Sequence, residues 1–350
     1  MRLAWLLAAA AASAPLLAAA PALANGRYPL AGQIAVDPDD PKHLVVRATY
    51  GVIVTRDGGK TWGWVCEPSI GYNGSEDPML GVAHGGNLLA AIFAGLSVSK
   101  DGGCDFSLYP PLKKKYVVDL AIDKVAPADG VLIVSNSAGA NLFLTQLWET
   151  SDGGDGWAQA GVDLPSDFIG LTVDSAPSDP ATVYVSGRFG PPDYAGALEK
   201  TTDRGASWQK LPIPNSDNLN LPYVGAVDPH DPGVVYVRLD ADAKDTLVVT
   251  RDGGQTYTQA FQLASDLLGF ALSPDGTKVA VSSKASGGQG ESGVWVADTT
   301  TLAFQKKSKV GATCLTWTAE GLYACADDPV DGFEVGLSHD EGASFTPLFH

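Results

Sequence analysis

The sequence predicts an all-β protein, a seven-bladed β-propeller of four-stranded antiparallel blades. Three observations carry that expectation: one eight-residue pattern returns six times, short apolar runs ending in acidic turns recur between the copies, and Gly and Pro are abundant while long helical periodicity is missing.

The pattern places Ser or Thr first, Asp third, Gly fifth and an aromatic eighth. It reads TRDGGKTW from Thr55, SKDGGCDF from Ser99, TSDGGDGW from Thr150, TTDRGASW from Thr201, TRDGGQTY from Thr250 and SHDEGASF from Ser338. Its aspartates are Asp57, Asp101, Asp152, Asp203, Asp252 and Asp340, spaced by 44, 51, 51, 49 and 88 residues. The last interval is twice 44, so one copy is missing. The segment VADTTTLAF, residues 296–304, fills that gap with an Asp and an aromatic but without the glycine. A second series supports seven units: IAVDP, GVAHGG, LAIDK, LTVDS, GAVDP, FALSPDG and CLTWTAEG each begin a unit, and most are followed by another apolar run such as HLVVRA or TVYVSG.

Chemistry explains why such a pattern is local. A carboxylate followed by glycine makes a turn in which the acid accepts backbone N–H groups, glycine takes a left-handed angle, and the Ser or Thr hydroxyl bonds nearby backbone. The terminal aromatic then packs between strands. Each copy is expected to fasten the turn between the third and fourth strands of a blade, and the six aspartates are assigned to structure. Blades of about 45 residues cannot bury both faces alone, so they stack radially into a ring.

With six copies at blade spacing, the chain resembles the Asp-box, or BNR-repeat, β-propellers. That resemblance covers nearly the whole chain and implies the fold. Its members include sialidases, xyloglucan-cleaving glycosidases, sortilin-type receptors and photosystem II assembly factors, so it does not imply one activity. It implies that the repeat aspartates lie on the periphery, away from any catalytic face.

Residues 1–24 read as an export signal: Arg2 supplies the positive start, 3–20 is almost unbroken apolar sequence, and Ala22-Leu23-Ala24 offers a cleavage site. Residues 25–350 then form a single propeller, secreted or periplasmic, monomeric and not inserted in a membrane. Net charge is -17, a sign that repels nucleic acid and anionic lipid surfaces. In an exported chain four cysteines suggest two disulfides. Cys314 and Cys325 stand opposite each other across a hairpin turning at Ala319-Glu320, which leaves Cys66 and Cys104 as partners.

Function is expected on the opposite rim, in the loops joining second to third strands and one blade to the next. The candidate ligand-binding residues are Tyr72, Tyr116, Arg188, Tyr194, Tyr223 and Arg238, exposed aromatics beside arginine that suit a protein or glycan partner. No catalytic residue is assigned. Arg47, Arg188 and Arg238 each end a second strand and are the arginines a sialidase would need, but an arginine-isoleucine-proline motif is absent. A glycoside hydrolase using two acids, the alternative reading, would draw on Glu67, Glu76, Asp77, Asp240 or Asp327. No nucleophile elbow is present for a serine hydrolase. No cofactor or metal is expected, calcium being the one ion that Asp37, Asp39 and Asp40, or Asp327, Asp328 and Asp331, would suit.

Overall fold

A computed structural model describes residues 27–350 except 75, 243 and 286–289. The expected export signal lies outside the described residues. Seven four-stranded antiparallel sheets follow one another along the chain, each built from consecutive strands. They occupy residues 31–65, 79–108, 117–159, 168–212, 220–263, 266–308 and 314–349, and are numbered here as blades one to seven. The fold is a seven-bladed β-propeller, as the repeats predict.

Strand chemistry follows position in the blade. Third strands such as Gly51–Thr55 (GVIVT) and Gly95–Ser99 (GLSVS) are buried at every residue, because both of their faces meet a neighbouring blade. Uninterrupted β-branched and apolar sequence therefore replaces the in-out alternation of a one-sided sheet. Fourth strands are short, two to six residues, and those of blades four and six, QKLP and QKKS, carry lysine. Short outer strands, with lysine in these two blades, protect the free edges.

Seven separate apolar clusters form the core, one at each seam between blades. At the seam of blades two and three, for example, Leu89, Leu96 and Leu112 meet Leu132, Val134 and Trp148. Side chains also donate across the seams: Gln33 exchanges two hydrogen bonds with the backbone of Leu80, and the Ser282 hydroxyl donates to Ala312 O. Among the described residues no blade combines strands from both ends of the chain, so the ring they form closes without an interlocked blade. Blade seven meets blade one through Ile34, Val46, Tyr323 and Val335, through Thr316 donating to Ile34 O, and through the Tyr50 hydroxyl on the Glu334 carboxylate at 2.9 Å.

Cys314 and Cys325 are paired across the hairpin and joined by a disulfide. The expected partner bridge is not there: Cys66 and Cys104 are free thiols. Cys66 Sγ lies 3.0 Å from the Ser69 hydroxyl, and that hydroxyl lowers the thiol's pKa. Elimination alone pairs these two cysteines, but their thiols are free. They instead line one solvent-open cleft of about 590 Å³ together with Trp62 and Trp64.

Candidate functional site

Connectivity gives the propeller two unlike rims. One carries the turns between first and second and between third and fourth strands, and here all six repeat turns lie. In the first of them Asp57 Oδ1 accepts from the Thr55 hydroxyl at 2.9 Å, from Lys60 N at 3.0 Å and from Thr61 N at 2.9 Å, while Oδ2 accepts from the Thr61 hydroxyl at 2.7 Å. Gly59 N donates back to Thr55 Oγ1 at 3.0 Å. The full set recurs around Asp252, and around Asp203 and Asp340 it recurs except that the N–H three residues on donates to the aspartate's own carbonyl. These donors stabilise the ionised acid: the neighbouring hydroxyl holds Asp57, Asp252 and Asp340 down at about 2. Where Asp105 or Gly156 replaces that Thr or Ser, backbone N–H groups provide the main lowering of Asp101 and Asp152.

Two successive left-handed residues shape every one of these turns, at φ 72° and 89° for Gly58 and Gly59. The first is Arg204 or Glu341 in two copies, whereas the second is always glycine. At the second position every one of these glycines packs against the preceding blade. A Cβ on Gly59 would lie 3.1 Å from Leu348, on Gly154 3.1 Å from Leu89, and on Gly205 2.8 Å from Ala160 O. The aromatics cross the same seams: Trp62 Nε1 donates to Leu348 O and Trp208 Nε1 to Val162 O. In blade six the degenerate segment makes a turn on the carbonyl of Asp298 instead, with Leu302 left-handed at φ 52°.

The opposite rim gathers the loops named as functional candidates, but it distributes their residues unevenly. Tyr116 and Tyr194 are exposed at 37% each. Tyr72 is buried, at 6%, because its ring packs into the apolar seam of blades one and two; its expected exposure is corrected. Tyr223 is half-buried beneath Arg238, whose guanidinium carbon is 5.0 Å from the ring centroid. Arg188 stands 6.0 Å from the Tyr194 ring centroid. Tyr194 and Arg188 thus form one pair in blade four, and Tyr223 and Arg238 another in blade five. Tyr116 instead meets Phe93 edge-on at 4.6 Å.

Charged groups that hydrolysis would need are engaged within the fold. Arg47 donates to Asp77 O and Gly32 O, Arg188 to Phe189 O, and Arg238 to Leu267 O and Asp240. Asp77 pairs with Arg27 at 2.7 Å, Glu76 accepts Phe93 N, and Asp327 accepts from Tyr28 and Lys284. The candidate calcium loops are likewise occupied by the chain. Asp37 faces His43, Asp39 accepts Gly85 N, Asp331 accepts Gly311 N and Asp328 faces His350. Among the described residues no group of three or more His, Cys, Asp or Glu is placed to hold a metal ion.

What sets the loop rim apart is apolar exposure. Of the twelve large hydrophobic residues exposed among those described, nine lie at this rim: Tyr28, Phe93, Tyr116, Leu142, Leu144, Tyr194, Leu219, Leu268 and Val330, while Val162, in a blade-to-blade connection, is held to the acidic turn of blade four through Gly205 O. Sequence reasoning named only Tyr116 and Tyr194 among them. Phe93 ends the buried run NLLAAI, and Leu142 and Leu144 open the run LFLTQLW, so both read as core. The missed signal was length: the second and third strands of blade three run ten and nine residues, against five each in blade one.

No family model matches this chain, and no curated protein sequence matches it. Solved structures do. The xyloglucanase of family GH74 from Xanthomonas campestris is 17% identical over 89% of this chain and 59% of its own, with a TM-score of 0.51. The β-propeller domain of Cps50 (Swd1) from Myceliophteria thermophila is 10% identical over 86% of this chain and 95% of its own, at 0.54. The extracellular domain of BT4673 from B. thetaiotaomicron is 12% identical over 85% of this chain and 36% of its own, at 0.58. The likeness is one of fold. This chain spans under two thirds of the GH74 enzymes it matches, and enzymes and non-enzymes share its architecture.

Proposed function

We propose that this chain is an exported, non-enzymatic propeller whose loop face docks a protein partner, while the six acidic turns on the opposite rim hold neighbouring blades together. The concentration of nine exposed large apolar side chains on one rim carries this reading. Soluble proteins rarely gather such residues on one face without a use for it, and protein interfaces are enriched in them. Aliphatic Leu142, Leu144, Leu219, Leu268 and Val330 favour a protein over a glycan, since sugars stack on flat aromatic rings and gain little from branched chains. Export is supported by the apolar leader of the sequence and by the Cys314–Cys325 disulfide.

A glycoside hydrolase is the second reading, because GH74 enzymes share the fold. Against it stand the candidate carboxylates already committed to Arg27, Lys284 and backbone N–H groups. Photo-cross-linking amino acids placed at Tyr194, Leu219 or Val125 in the intact chain test the proposal. Adducts to a second protein from Tyr194 and Leu219, and none from Val125 on the other rim, are expected. Adducts from Val125 alone, or turnover of a chromogenic glycoside that Arg238→Ala abolishes, would reject it.

A further inference from the structure

The exposed apolar residues of the loop face are not evenly spread, and one sector combines them with the chain's only run of three cations. In the third strand of blade three, Leu142, Leu144, Gln146 and Trp148 occupy alternate positions and so share one face. Trp148 packs with Leu132 and Val134 into the seam with blade two, which fixes that face as the one turned toward blade two. The row outruns the core at the rim, and Leu142 is left 45% exposed.

Opposite this row lies the connection 109–116. Its Lys114 is left-handed at φ 67° and donates its N–H to Ala94 O at 2.7 Å, which pins the lysine run beside Phe93. Tyr116 N donates to the Asn136 side chain at 3.2 Å, and its ring meets Phe93. Lys115 is spent internally, on Gln146 and over the Trp148 ring. Lys113 and Lys114 stay exposed, and neither forms an ion pair among the described residues. Glu76 and Asp163 are acids beside this sector, the first held by Phe93 N and the second by the Gln146 amide.

Resting on the loop-face reading, we propose that this sector binds an acidic, apolar-bearing peptide segment of the partner protein. Leucines would enter between Phe93–Tyr116 and Leu142–Leu144, with carboxylates on Lys113 and Lys114. Two unpaired lysines in a chain of net charge -17 are the complement of an acidic segment, and the strongly negative remainder repels it elsewhere. The long hairpin adds a wall along which an extended segment can lie.

The test titrates a fluorescein-labelled peptide of alternating Glu and Leu into the intact chain, with Lys–Leu and Glu–Ser alternating peptides as comparators. Saturable binding of the Glu–Leu peptide alone is expected. It should weaken roughly tenfold or more both in Lys113→Glu/Lys114→Glu and in Leu142→Ser/Leu144→Ser, with unchanged thermal melting in each. Equal binding of the Lys–Leu peptide, full affinity in either variant, or no binding overturns the proposal. A concentration-dependent dimer that Leu142→Ser/Leu144→Ser abolishes would assign the sector to a second copy and also overturn it. Cross-links from Tyr194 and Leu219 that persist in both variants would reject the acidic segment while leaving the loop-face reading standing; their absence would reject that broader reading.

Discussion

Arg204 and Glu341 show how the acidic turns discriminate between two adjacent left-handed positions. Both sit at the first, at φ 55° and 60°, where the other four turns place glycine. A left-handed non-glycine residue costs about 1–2 kcal/mol, and the exposed Arg204–Glu149 pair at 3.5 Å offsets little of it. Arg204→Gly is therefore expected to raise stability by about 1 kcal/mol in urea denaturation. Glu341 differs, because it pairs with Lys278 and with Lys307, and Glu341→Gly should gain nothing. At the second position of the Arg204 turn a Cβ would lie 2.8 Å from the Ala160 carbonyl oxygen, so Gly205→Ala should cost about 2–3 kcal/mol, a loss that an unchanged midpoint would contradict.

Among elements, blade seven closes the ring without borrowing a strand, so its seam with blade one depends on side chains. Trp62 reaches across that seam to Leu348 O and packs on Phe349 at 5.3 Å. Trp62→Ala should open the closure and cost about 3 kcal/mol, read as faster hydrogen exchange in 31–65 and 314–349 before the other blades. Replacing Cys314 and Cys325 by serine should cost about 2–3 kcal/mol by freeing the hairpin, with the same two blades exchanging first. Elements were the level most legible in the sequence. Six copies of one turn set blade number and strand order, because each copy is a local structure whose spacing counts strands, and the short hairpin turn at Ala319-Glu320 set the Cys314–Cys325 register. Cys66 and Cys104 were illegible for the converse reason: their relation depends on how two blades meet, which no repeat spacing records. Leu142, Leu144 and Phe93 share that fate, since alternation reveals a strand but not where its neighbours stop covering it.

Across the whole molecule, two sets of acids pull stability in opposite directions with pH. Asp57, Asp252 and Asp340 titrate in the fold at about 2, below the ordinary carboxylate value, so their stabilisation is complete above about pH 4 and lost as pH falls through 2. Burial pushes Asp119 and Glu199 up to about 7 and Asp174 to about 6. These three favour the fold while protonated, an advantage complete below about pH 4 and lost as pH rises through 6–7. Denaturation midpoints should therefore crest at about pH 4 and decline on both sides, whereas a steady rise to pH 8 would contradict the assignment. Asp119→Asn retains an acceptor for Val173 N and should flatten part of the neutral decline.

The division of labour between the two rims is tested most directly by measuring melting temperature and cross-linking yield together in Asp252→Ala and Leu219→Ser, each carrying the photo-cross-linker at Tyr194. Asp252→Ala should melt lower while its folded fraction forms adducts as the parent does, and Leu219→Ser should melt with the parent and form fewer adducts. Selective loss of adducts in Asp252→Ala, with melting unchanged, would contradict the account.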